Sequence, residues 1–125
     1  MQPISAYLAV PSVDASIAFL EQAFGFTQGV VLAAPDGGTR YAEMRHGTSV
    51  VVLVQQTDAV TPTAGLPALY TYVADVDRQL AAARAAGGRV EPATDTPWGD
   101  RIATVVDPDG YRWVLATFKT LAPFT

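Results

Sequence analysis

The chain has no cysteine and only one histidine, His46, in 125 residues. The first absence excludes disulfides and thiolate metal sites. The second excludes a multi-histidine metal site built within one chain. Charge is sparse as well: 16% of the residues are charged, and the net charge is −4. Nothing in that balance draws the chain to nucleic acid or an anionic membrane, so neither is expected as a partner, while a cationic ligand is modestly favoured. No segment approaches the roughly 18 apolar residues of a membrane span, and the N-terminus lacks a basic stretch followed by an apolar run. A cytoplasmic location is the default expectation. Hydrocarbon is what the chain has in quantity. Half of it is hydrophobic, which argues against disorder, and its length suits a single domain with a real core.

The chain repeats itself. Leu8-Ala9-Val10-Pro11-Ser12-Val13-Asp14 leads into one helical pattern, and Thr71-Tyr72-Val73-Ala74-Asp75-Val76-Asp77 leads into another. Val10 matches Val73, Val13 matches Val76, Asp14 matches Asp77, Ile17 matches Leu80, and Gly25 matches Gly88. Val13, Ile17, Leu20 and Phe24 fall on one helical face, as do Val76, Leu80 and Ala83. Ser12 and Asp75 are N-cap candidates, because their side-chain oxygens can accept free amides at a helix start. Gly25 and Gly87-Gly88 suit left-handed C-terminal stops.

Three strand-like runs follow each helix. The first set is 29–33, 40–45 and 49–54, with turns at Asp36-Gly37-Gly38 and His46-Gly47; the second is 89–91, 101–106 and 111–116, with Asp107-Pro108-Asp109-Gly110 as its last turn. The expected fold is α+β. It consists of two tandem βαβββ modules, about 4–56 and 68–118, forming a curved, mostly antiparallel sheet around a concave cavity with helices outside. The stretch 57–67, rich in Thr and Pro, reads as the linker within a single domain, 1–125.

This repeat, together with Ala23-Phe24-Gly25-Phe26, Pro97-Trp98-Gly99-Asp100-Arg101 and Asp107-Pro108-Asp109-Gly110-Tyr111-Arg112-Trp113, resembles the vicinal oxygen chelate superfamily. That group includes glyoxalase I, extradiol dioxygenases and the fosfomycin- and bleomycin-resistance proteins. The likeness runs from about Ile4 to Thr117 and is greatest to the glyoxalase/bleomycin-resistance, or PhnB-like, branch. Metalloenzymes of the family hold a divalent cation with one residue from the first and last strand of each module. The resemblance lays those positions on or next to Ser5, Val52, Ala68 and Val114. A hydroxyl, two valines and an alanine cannot stand in for imidazole and carboxylate. The resemblance therefore implies no metal, no other cofactor, and a homodimer.

Side chains alternate between the faces of a strand. Those in phase with the four positions are expected to line the cavity: Tyr7, Val52, Tyr70, Tyr72, Arg112 and Val114 among them, with Trp113 and Leu115 turned to the core. Trp98 stands in a loop that the resemblance puts at the cavity mouth, where an indole could stack on a ligand. Arg101 could anchor an anion, or else pair with Asp100 or Glu43. Glu43 is the best lone carboxylate for a basic ligand, unless it faces solvent. Asp107 is read as ordering its own turn, and His46 as a solvated turn residue. No residue is assigned a catalytic role. No phosphate loop is present, since Gly37-Gly38 lacks the following lysine and helix start. The expected function is metal-free binding of a planar or cationic small molecule, a drug or metabolite, in an aromatic cleft. The alternative is a lyase or isomerase of the glyoxalase type, for which Glu43, His46 or a cavity tyrosine are the visible acid–base groups.

Overall fold

Both helices begin where a side chain caps them. Ser12 is extended (φ −142°, ψ 112°), and its Oγ accepts the amide of Ala15 at 3.1 Å. The first helix, α1, then runs Val13–Phe24 and stops at Gly25, whose φ of 74° lies in the left-handed region. Asp75 repeats the device: its Oδ1 accepts the amide of Arg78 at 3.2 Å, and α2 runs Val76–Ala85. Val13, Leu20 and Phe24 are almost inaccessible. Burying each contributes about 1.5–3 kcal/mol, against about 1 kcal/mol for a cap. Packing therefore stabilises α1, and the cap decides where it starts.

The computed structural model describes residues 4–58 and 68–119. The chain divides into two compact units, Met1–Thr63 and Ala64–Thr125. Most of the expected linker, and the apolar tail 121–125, lie outside the described residues.

In the first unit, β1 (Ala6–Val10) precedes α1, and β2 (Thr27–Ala33), β3 (Thr39–His46) and β4 (Ser49–Gln55) follow it. The strand order is β1-β4-β3-β2, with β1 parallel to β4 and the other pairs antiparallel. Both expected hairpin turns form. Asp36 Oδ1 accepts the amide of Gly38 at 2.9 Å, and Gly47 supplies a positive φ of 59° beside His46. α1 packs on β3 and β4, and Leu8, Val10, Ala42, Met44, Val51 and Leu53 are buried.

In the second unit, β5 (Leu69–Tyr72) precedes α2. It is followed by β6 (Arg89–Val90), β7 (Thr94–Asp95), β8 (Asp100–Val106) and β9 (Arg112–Phe118). The order is β5-β9-β8-β6, β7 also pairs with β8, and β5 is parallel to β9. The sequence pattern reads as one strand at 89–91 where the structure has two short ones. Pro92 lies in the interruption and has no amide to give the ladder. α2 packs on β6, β8 and β9, and Ala103, Val105, Trp113 and Leu115 are buried.

Each unit thus has a mixed sheet of its own, in the strand–helix–three-strand order of the repeat. This is the α+β fold of two tandem βαβββ modules expected from the sequence; among the described residues β1 closes on β4 and β5 on β9, each within its own unit.

Asp107 holds the last turn in register. Its Oδ1 accepts the amides of Asp109 at 2.9 Å and Tyr111 at 3.0 Å, and its Oδ2 accepts the indole N–H of Trp113 at 3.0 Å. The turn carboxylate is thereby tied to the largest fully buried side chain of the chain's described residues.

Candidate ligand-binding site

Cross-strand partners share a sheet face, so register sorts the expected site residues. In the second unit Tyr70 lies beside Val114, which lies beside Thr104. Tyr72 lies beside Ala116, which lies beside Ile102. Phe118 lies beside Asp100, and Arg112 beside Val106. All of these occupy the face opposite Trp113 and Leu115. On it Tyr70 and Tyr72 stay 45% and 55% exposed, and Trp98 46%.

Three rings gather there around one carboxylate. Tyr70 and Tyr72 meet edge to face with centroids 5.5 Å apart. Tyr70 Oη–H donates to Asp100 Oδ2 at 2.6 Å, and Tyr72 Oη–H donates to the same oxygen at 2.9 Å. Trp98 Nε1–H donates to Tyr70 Oη at 3.2 Å. Asp100 is only 3% exposed. Its backbone is pinned by Thr96, whose Oγ1 accepts the Asp100 amide at 3.1 Å and donates to the Asp100 carbonyl at 2.9 Å. The loop carrying Trp98 is closed by these bonds, and Gly99 (φ 96°) takes the conformation that turns it into β8.

The electrostatics follow from this arrangement. Burial and the bond to Asp100 hold the Tyr70 phenol above the usual tyrosine range. The bond to Asp100, followed by burial, does the same to Tyr72. Each hydroxyl thus keeps its proton and directs it at the carboxylate oxygen.

The first unit carries a smaller version. Tyr7 lies beside Val52, which lies beside Glu43, on the face away from α1. Glu43 thus shares a face with Tyr7 and Val52, while its neighbours Ala42 and Met44 are fully buried on the other side. Tyr41 Oη–H donates to Glu43 Oε2 at 2.9 Å, and that bond is the main cause of a raised Tyr41 phenol. Tyr7 is 63% exposed. The repeat is visible here at the level of register, since Tyr7 lies beside Val52 as Tyr70 lies beside Val114.

Arg101 stands apart from the rest of the expected set. It precedes Ile102 on β8 and so faces α2, where Nε and Nη2 bond the Asp77 carboxylate at 2.9 and 3.2 Å and Nη1 bonds Asp95 at 3.2 Å. Its partners are Asp77 and Asp95, in place of the Asp100 or Glu43 named from sequence. Arg112 does share the aromatic face, two residues along β9 from Val114 and six along β8 from Asp100. From sequence alone Asp100 reads only as a candidate ion-pair partner of Arg101. The signal that could have found it is the hairpin: counting back from the Asp107 turn puts Asp100 opposite Phe118, in phase with Val114.

A hollow of about 180 Å³ lies elsewhere in the first unit, bounded by Pro11, Val13, Asp14, Asp36, Thr39 and Gln55. None of the expected site residues lines it.

A family model described as Glyoxalase/Bleomycin resistance protein/Dioxygenase superfamily matches residues 3–115. The chain belongs to that superfamily. It is 32% identical over 122 residues to the uncharacterized protein Mb0911c of Mycobacterium bovis, which covers 90% of this chain and 80% of the relative. The same identity over the same length holds for Rv0887c of Mycobacterium tuberculosis, at 90% and 72% coverage. Among solved structures, TioX from Micromonospora sp. ML1 superposes with a TM-score of 0.75 at 26% identity, over 99% of this chain and all of that one. A glyoxalase/bleomycin resistance protein/dioxygenase family enzyme from Burkholderia phytofirmans PsJN gives 0.75 at 20% identity, over 91% and 96%, which is a likeness of fold.

The positions that the family resemblance assigns to a divalent cation carry few donors here. Val52 and Val114 are hydrocarbon. Ser5 and Ala68, just ahead of β1 and β5, add one hydroxyl. Among the described residues no three His, Cys, Asp or Glu side chains come together. This donor set does not fit the family's metal. No helix among the described residues is long and apolar enough to cross a membrane.

Proposed function

We propose that this chain is a metal-free small-molecule-binding protein of the bleomycin-resistance type, which holds a planar or cationic drug or metabolite without transforming it. The observation that carries the reading is the second unit's cluster: three rings left half exposed around a buried carboxylate. Exposed aromatic surface costs solvation unless it has a partner, and a flat ligand stacked on Trp98 or on the tyrosines buries it. A cation gains further from ring faces and from negative charge beneath them. Val114 supplies apolar floor beside Tyr70, and Tyr7, Glu43 and Val52 offer a second aromatic and acidic face in the first unit. The motifs around Trp98 and Asp107 favour the PhnB-like branch, and the same resemblance supports a homodimer, which sedimentation velocity checks.

Tryptophan fluorescence tests the reading. A library of planar cations is expected to quench Trp98 saturably and to leave buried Trp113 as background. Absence of quenching by every planar cation contradicts it. So does stoichiometric Ni, Zn, Mn or Fe that survives dialysis of the purified protein.

A further inference from the structure

A phenol hydroxyl has one proton to donate and lone pairs with which to accept. In the second unit both site tyrosines have committed that proton. Tyr70 and Tyr72 donate to the same oxygen of Asp100, at 2.6 and 2.9 Å. A carboxylate has no proton to return. The one donor of Trp98 is committed too, to Tyr70 Oη at 3.2 Å. The two hydroxyls also interact with each other, so the protons stay within the cluster, from the indole to Tyr70 and from the phenols toward Asp100. All the polar protons of the three rings are directed within the cluster. What the rings offer a ligand is π-surface and oxygen acceptors.

We propose that Asp100, without itself touching the ligand, makes this face selective for cations that carry N–H groups, such as protonated amines, guanidinium or amidinium, by fixing the tyrosine hydroxyls as acceptors. The inference rests on the reading of this face as a ligand site. Asp100 is a positioning and specificity-determining residue, held in place by Thr96 and shielded at 3% exposure. Its charge adds attraction for any cation, and the ring faces add more. Only a cation with N–H donors also gains charge-assisted hydrogen bonds to the phenol oxygens. An anion meets negative charge and no donor.

Two cations stand near the cluster. Arg101 faces α2 and is bound by Asp77 and Asp95. Arg112 is on the same face, two residues along β9 from Val114 beside Tyr70, and six residues along β8 from Asp100. Arg112 therefore borders the Tyr70 end of the cluster, and the cation preference is carried by the Asp100 end, where Tyr70 and Tyr72 direct their hydroxyls.

Three planar probes separate the contributions: proflavine, a cation with N–H donors; N-methylacridinium, a cation without them; and acridine-9-carboxylate, an anion. Titration of the full chain at neutral pH is expected to show proflavine bound at least tenfold more tightly than N-methylacridinium, and no saturable binding of the carboxylate. In Asp100→Asn the new amide can donate to a phenol oxygen and release a phenol proton outward. The proflavine preference is expected to fall about tenfold, and binding of the carboxylate to become measurable. Tyr72→Phe, which keeps the ring, is expected to reduce the preference several-fold with little effect on N-methylacridinium. This second variant and the wild-type ratio decide the matter if Asp100→Asn does not fold. Equal affinities of the two cations for the wild type, or an unchanged ratio in both variants, overturn the inference and leave the binding reading standing. If none of the three probes binds, the binding reading and the inference fall together.

Discussion

Replacing Asp107 with alanine removes three hydrogen bonds at the turn that sets the register of β8 against β9. The amides of Asp109 and Tyr111 lose an acceptor, and so does the indole of Trp113. Trp113 is 1% exposed, so its N–H has no water to fall back on. An unsatisfied buried donor costs about 1–3 kcal/mol. The two turn amides add about 1 kcal/mol between them, because burial, which pushes the Asp107 carboxyl above its usual range, offsets part of what those bonds contribute. The sum is about 3 kcal/mol. At about 4 °C per kcal/mol for a chain of this size, melting is expected to fall by about 12 °C. Asp107→Asn keeps one acceptor oxygen and carries no charge to bury, so it is expected to lose about half as much. The pH dependence separates the two effects. A carboxyl raised in the folded state contributes most stability below its unfolded value of 3.8, and that contribution is lost as pH rises through the folded pKa. Urea unfolding followed by tryptophan fluorescence measures both variants. An alanine variant within about 1 kcal/mol of wild type would refute the reasoning and show that Pro108 and Gly110 hold the turn unaided.

Other outcomes follow from the same geometry. Asp100→Asn is expected to move the ionisation of Tyr70 and Tyr72 down toward the ordinary tyrosine value, which the near-ultraviolet absorbance of tyrosinate during alkaline titration reads directly. Gly29→Ala places a Cβ 2.9 Å from Arg45 Nε and 3.2 Å from the Glu43 carbonyl. The arginine can yield and the backbone cannot, so a loss of about 1–2 kcal/mol is expected in urea unfolding. Arg101→Ala is expected to leave ligand affinity unchanged, since its partners are Asp77 and Asp95 on the other side of the sheet. The Arg101 bond holds the Asp77 carboxyl below its usual range, so the pair's small contribution is present above about pH 3.8 and lost as pH falls through the folded value. Comparing the unfolding of wild type and variant at pH 7 and in acid checks the sign.

Much of this was legible in the residues themselves. Ser12 and Asp75 announced both helix starts, and Gly25 announced the end of α1. The Asp107 turn set the parity that puts Val114 on the face opposite Trp113 and Leu115. Glu43 and Asp100 were harder to place because each demands a count around a hairpin rather than along a strand. From the His46 turn the count puts Glu43 opposite Val52, and from the Asp107 turn it puts Asp100 opposite Phe118. Arg101 illustrates the same parity rule, since one step along β8 moves it from the tyrosine face to the helix face. Two features lay beyond such counting. The break between β6 and β7 depends on where a proline falls relative to the ladder. The convergence of two phenols on one carboxylate oxygen depends on rotamers, which no spacing records.

Indole N–H resonances offer the most direct check on the ligand face. The protein has two tryptophans, one half exposed beside Tyr70 and one buried on the opposite side of the same sheet. Titrating proflavine into ¹⁵N-labelled protein is expected to shift the Trp98 signal saturably and leave the Trp113 signal in place. A Trp98 signal that stays fixed while proflavine binds, or two signals that move together, would contradict the account.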